Sequence, residues 1–192
     1  KDAVMANADT PFGLRPVSML DGSPYTASVR IFSTASGDGT AIGLGDPVIL
    51  SGTVSTVNGR DYPDVDQAAT GNVIAGVVVG VIPETADSTI YRAASTTRLL
   101  MVETGIDVLF EIQEVSGGTA LTTAAIGLNC DFVVAAASTT TGQSGVELNN
   151  ATEATTNTLD LHIVDLAPRA DNVAGEHAKW LVRINRSQWS NQ

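Results

Sequence analysis

Lysine is almost missing from this sequence: 192 residues contain only Lys1 and Lys179. Surface helices are ordinarily built from Lys, Glu, Gln and Arg. Their scarcity beside abundant Thr and Val argues against a helical fold and for strands and turns. Cysteine is nearly as rare. Cys130 stands alone, which excludes an intrachain disulfide. In Leu-Asn-Cys-Asp-Phe-Val-Val it has no basic neighbour to activate it, and it reads as a small buried side chain. Long apolar runs are also lacking. The longest, Val73–Ile82, is broken by Gly76 and Gly80 and is half the roughly 20 residues a membrane helix needs. The opening Lys-Asp-Ala-Val-Met-Ala-Asn carries no hydrophobic stretch of signal-peptide type. A soluble chain without a membrane partner is expected.

Positive charge is scarce where negative charge concentrates. Between Asp61 and Asp165 the only basic residues are Arg92 and Arg98, against fourteen acids; the two ends together carry eight basic and seven acidic residues. An acidic body repels phosphate, so nucleic acid is not an expected partner. The same charge keeps the chain soluble and suppresses non-specific adhesion.

The apolar fraction is 43%, enough for a packed core at this length without disulfides. Pro11, Pro16 and Pro24, with Gly13 and Gly22, oppose helix over residues 1–24 and favour an extended arm. Its Phe12, Leu14, Val17, Met19 and Leu20 are too apolar for a solvated tail. Residues 25–192 read as one all-β domain, an antiparallel β-barrel or sandwich. Strands are expected at Tyr25–Phe32, Val48–Leu50 and Val54–Val57, the last followed by an Asn58-Gly59 turn and an acidic loop over 61–72. Val73–Ile82 reads as a strand buried on both faces, its glycines marking bulges or close backbone approach. Arg98–Val102 and Asp131–Ala137 are further strands. Ile106–Val115 alternates, with Val108, Phe110 and Ile112 inward and Asp107, Glu111 and Gln113 outward. Leu159–Ile163 and Trp180–Asn185 alternate likewise, and Thr119–Leu128 is the best helix candidate.

Convergent chemistry is not apparent. His162 falls on the polar face of a strand and His177 in a loop, and no short metal-ligand spacing links them to Cys130. Gly142-Gln-Ser-Gly145 lacks the final glycine of a nucleophile elbow. Gly37-Asp-Gly39 lacks the Gly-Lys-Ser/Thr ending of a phosphate loop. Asp61, Asp64 and Asp66 do not match calcium-loop spacing. Glu103, Asp107, Glu111 and Glu114 read as a solvated strand face rather than a glycosidase pair. The chain is expected to be no enzyme, with no catalytic residue, metal or cofactor.

Several stretches resemble the head decoration, or cement, proteins of tailed bacteriophages. They are Met5–Val17 (Met-Ala-Asn-Ala-Asp-Thr-Pro-Phe-Gly-Leu-Arg-Pro-Val), Leu20–Pro24, Gly45–Val48, Gly76–Gly80, Leu109–Gln113, Ile126–Asn129 and Lys179–Asn185. The resemblance implies a virion protein on the outer capsid surface that bridges subunits of the major capsid protein. It also implies a homo-oligomer, with a trimer favoured over a dimer. Bridging several subunits at once multiplies weak contacts. The interface expected from the arm comprises Phe12, Leu14, Arg15, Pro16 and Val17, with Arg15 anchored on a carboxylate of the partner. The competing reading is a tail or head-fibre component that binds a host surface. Two Trp and three Tyr are few for a receptor pocket.

Overall fold

The computed structural model describes residues 7–190. Among them are twelve strands and a single 3₁₀ turn, Thr123–Ala125, so the expected all-β class is what the chain adopts. No helix of the described residues is long and apolar enough to cross a membrane.

The strands form two main bodies. In the first, β2 (Val29–Ser33), β4 (Arg60–Gln67), β3 (Pro47–Val57), β5 (Gly76–Val81) and β6 (Leu99–Glu103) close into a barrel in that order. Its pairings are antiparallel except where β2 meets β4 at Ser33 and Asp64. In the second, β1 (Arg15–Met19), β7 (Val108–Gln113), β12 (Lys179–Ile184), β11 (Leu161–Leu166) and β8 (Asn129–Cys130) form an antiparallel sheet. A short pair, β9 (Phe132–Val133) and β10 (Glu147–Leu148), flanks it.

Each body has its own core, and the β5 backbone lies between them. Val78 packs in the barrel with Phe32, Ile42, Val48, Val65, Leu100 and Val102. Val77, pointing the other way, joins the larger core around Phe110, Phe132, Leu161 and Trp180. A strand facing two cores needs apolar side chains on both faces, which explains the apolar run, although the expected Val73–Ile82 strand shortens to Gly76–Val81 and only Gly76–Val78 are fully buried. Its glycines do the work expected of them. Gly80 follows a bulge against β6, and a Cβ on Gly76 would collide with the Glu103 carbonyl oxygen.

Several expectations need correction. The acidic stretch after Asn58-Gly59 is largely not a loop: Arg60–Gln67 is β4, hairpinned onto β3 through that turn, with positive φ at both Asn58 and Gly59. The two strands expected at Val48–Leu50 and Val54–Val57 are one 11-residue strand with an irregularity between them. Ile106–Val115 shortens to β7, paired on its two edges with β1 and β12 and buried along its length; Arg15 and Arg169 reach Glu111 and the Thr10 N–H reaches Gln113 on its outward face. Thr119–Leu128 yields only the 3₁₀ turn, and Asp131–Ala137 only β9.

The segment expected as an arm over 1–24 enters the fold at Leu14. Leu14 is 1% exposed and sits in the larger core, and Arg15–Met19 is the edge strand paired with β7. Residues 7–10 continue along the same body. The Asn7 amide donates to the carbonyls of Val173 and Glu176, and the Thr10 N–H donates to the Gln113 side chain at 3.0 Å. Residues 1–6 lie outside the described residues.

Candidate functional site

The N-terminal segment crosses the barrel at two glycines. Leu14 donates its N–H to the Gly45 carbonyl at 2.9 Å. A Cβ on Gly13 would lie 2.5 Å from that same carbonyl oxygen, and one on Gly45 would lie 2.5 Å from the Phe12 carbonyl oxygen. Both glycines have positive φ, so only glycine allows this crossing. Beside it opens a groove of about 430 Å³ between the sheet and the barrel. Phe12 and Pro16 from the N-terminal segment and Ala27, Val29 and Val79 from the barrel side border it, together with the polar Arg15, Tyr25 and Gln143. Volume and lining are those of a site for an apolar side chain or short segment.

The five arm residues named from sequence therefore part company. Phe12, Leu14, Arg15 and Pro16 all border the groove, Phe12 and Pro16 half-buried, while Val17 sits exposed on a β-bulge opposite β7 and does not border it. Leu14 is a core residue, a correction to its expected place in an interface. Arg15 is exposed, and its guanidinium is engaged within its own chain. Strand register sets it opposite Glu111, and its guanidinium donates to Glu111 Oε2 at 2.8 Å while stacking over Phe12 at 4.6 Å. The carboxylate it meets belongs to its own chain, and Arg169 approaches the other oxygen of Glu111 at 3.1 Å.

The expected solvated row of carboxylates is mostly interior. Only Asp107 is exposed. Glu103 accepts the Tyr25 hydroxyl and the N–H groups of Ser28 and Gly105. Glu114 accepts from the Leu121 N–H, the Asn150 amide and the Trp180 indole. Burial pushes the Glu114 carboxyl above its ordinary range, and these three bonds pull the other way. Asp46 behaves similarly: burial raises it, and bonds from Ser144 and Gly43 oppose the shift. Asp160 is pushed up to about 6, by burial first and then by Asp131, against a bond from the Gly71 N–H and the charge of Arg186. Asp64 is buried and accepts three hydroxyls, from Ser33, Thr53 and Ser55. These groups are scattered through the molecule and held by structural donors.

The histidines bond elsewhere. His162 Nδ1 is 2.7 Å from the Asn129 side-chain oxygen, and burial with the nearby Arg183 charge lowers its pKa. His177, in a left-handed conformation, lies beside Gln113. Cys130 is fully buried, and burial with surrounding acids pushes its thiol up, the opposite of activation.

One convergence escaped the sequence. Asp9, Glu147 and His177 bring potential ligand atoms within 4.8 Å of one another. Gln113 Nε2 lies among them, donating to Asp9 at 3.0 Å and Glu147 at 3.1 Å. The three residues are remote in sequence and come from the N-terminal segment, β10 and the loop before β12, so no spacing rule could find them. The Asp61–Asp66 stretch does not form such a group.

Comparisons with family models, with curated proteins and with solved structures find no match.

Proposed function

We infer that the chain is a structural virion protein that decorates the outside of an icosahedral capsid, bridging subunits of the major capsid protein, and that it acts as a homo-oligomer. The observation that carries this reading is the apolar groove between Phe12, Pro16 and the barrel wall at Val29 and Val79. It is open, shaped for a side chain or extended segment, and framed by a segment fixed to the body at Leu14 and Arg15. A rigid receptor of this kind loses little entropy on binding. The sequence resemblance over Met5–Val17 runs through the same residues. On this reading the N-terminal segment builds the receptor, and a segment of the capsid subunit enters it.

Purified chain is to be mixed with shells that lack it and sedimented. Saturable binding is expected, together with loss of binding when Val79→Asp or Ala27→Asp puts a charge into the groove. Absence of co-sedimentation, or undiminished binding by both variants, contradicts the reading.

A further inference from the structure

Two surface concavities outside the groove carry opposite charge. The first, about 330 Å³, lies between β2 and the β3–β4 hairpin, lined by Arg30, Ile31, Phe32, Arg60, Tyr62 and Pro63. Asp61 also borders it, with one oxygen taken by the Thr56 hydroxyl. Arg15, Arg92, Arg169 and Arg186 each meet a carboxylate of this chain. The exposed Arg30 and Arg60 form no ion pair among the described residues. Aromatic faces hold them instead: Arg30 lies 5.2 Å from the Trp189 ring and Arg60 5.0 Å from the Tyr62 ring. Stacking of this kind fixes the guanidinium plane and leaves its donors free for a carboxylate.

The second concavity, about 300 Å³, is lined by Met19, Leu20, Asp21 and Asp107. The Leu20 N–H donates to the Asp107 carbonyl at 2.7 Å, which sets the two carboxylates beside one apolar rim. Leu20 is 43% exposed and Ile106 42%. Neither aspartate meets a cation among the described residues.

We propose that these two faces bind each other between copies of the chain, the Arg30–Arg60 face of one copy taking the Asp21–Asp107 face of the next. This deepens the homo-oligomer reading above and rests on it. Charge complementarity selects the occupant: one face offers two guanidinium groups against the single Asp61 carboxylate, the other two carboxylates without a cation among the described residues, Asp21 holding only the Ser23 N–H, and both faces include apolar side chains. A basic face packed on its own symmetry mate would set guanidinium against guanidinium, so the contact joins two different faces, the geometry from which rings are built. The hairpin supplies an independent reason for a cover. From Val54 to Pro63 its two limbs pair only with each other, and Val54 is 62% exposed. A two-stranded ribbon without a further layer is marginal in water.

The test is solution mass by sedimentation at micromolar concentration for wild type, Arg30→Glu/Arg60→Glu, Asp21→Lys/Asp107→Lys and the four-site charge swap, with circular dichroism to monitor folding. Each double reversal is expected to weaken association by about a hundredfold, and the swap is expected to restore it. Wild-type association should also weaken as salt rises, a readout that needs no variant. An oligomer indifferent to both reversals, or to salt, overturns the proposal and leaves the oligomer reading intact. A wild-type monomer that still coats shells overturns the proposal and the oligomer reading together, while capsid attachment stands.

Discussion

Replacing Leu14 by alanine asks whether the N-terminal segment belongs to the core or to a partner. The side chain is 1% exposed and packed in the core that contains Phe110, Phe132 and Trp180. Removing it forfeits roughly 1.5–3 kcal/mol of burial and leaves a cavity whose cost adds to that. The site collapses poorly, because the Leu14 N–H is bonded to Gly45 and the flanking glycines are in contact with backbone. Total destabilisation of the isolated chain should therefore be about 3–4 kcal/mol, within the usual range for Leu→Ala in a core. At this chain length each kcal/mol moves the melting temperature by roughly 2–4 °C, so a drop on the order of 10 °C is expected. Val17→Ala, at a 36% exposed position three residues away, should stay within about 0.5 kcal/mol. Calorimetry or denaturant titration of both variants decides the matter. A Leu14→Ala change below about 1 kcal/mol would mean that the segment does not pack as described.

Gly45→Ala combines positive φ with a backbone collision and should cost about 2 kcal/mol or more in denaturant titration. Asp160 has its folded-state pKa raised from 3.8 to about 6. Its protonated form favours the fold, so this contribution is full below the unfolded pKa and is lost as pH rises through about 6. Asp160→Asn, which keeps an acceptor for the Gly71 N–H, should flatten the stability profile across that window, read as melting temperature against pH. The buried Cys130 thiol should resist alkylation in the native chain and react fully in denaturant, with mass spectrometry counting the adduct. Chelator should leave the melting temperature unchanged, because Gln113 already satisfies Asp9 and Glu147; a large drop would reveal an ion held there.

Period-two alternation made β11 and β12 legible, since Leu161 and Ile163, and Trp180, Val182 and Ile184, face the core as read. The Asn58-Gly59 turn and the strand inside the Val73–Ile82 run were legible for equally local reasons, although the strand is Gly76–Val81 and only its first half is fully buried. What alternation cannot report is whether a polar face meets water or another layer. Glu111 and Gln113 lie on the outward face of β7 by pattern, yet Arg15, Arg169 and the N-terminal segment cover them. Asp64 reads as loop acid but ends inside β4, because hydroxyls from β2 and β3 reach it. The arm was legible as extended backbone and not as part of the sheet. Prolines exclude helix wherever the strand goes, and the partner strand β7 lies far downstream, Arg15 pairing with Glu111 and Met19 with Val108. Deleting residues 1–20 should therefore destabilise the isolated chain as well as alter binding. The groove was not legible: Phe12 and Pro16 read as clamp residues of an arm, and the residues that complete the groove from β2 and β5 have nothing local connecting them to it.

Electron cryomicroscopy of shells reconstituted with the purified chain tests the central claim most directly. Density is expected on the outer surface, each copy touching more than one major capsid subunit, with the Phe12–Val79 groove turned toward the shell and filled. Bare shells after saturating incubation, or density confined to the tail or fibres of intact particles, would contradict it.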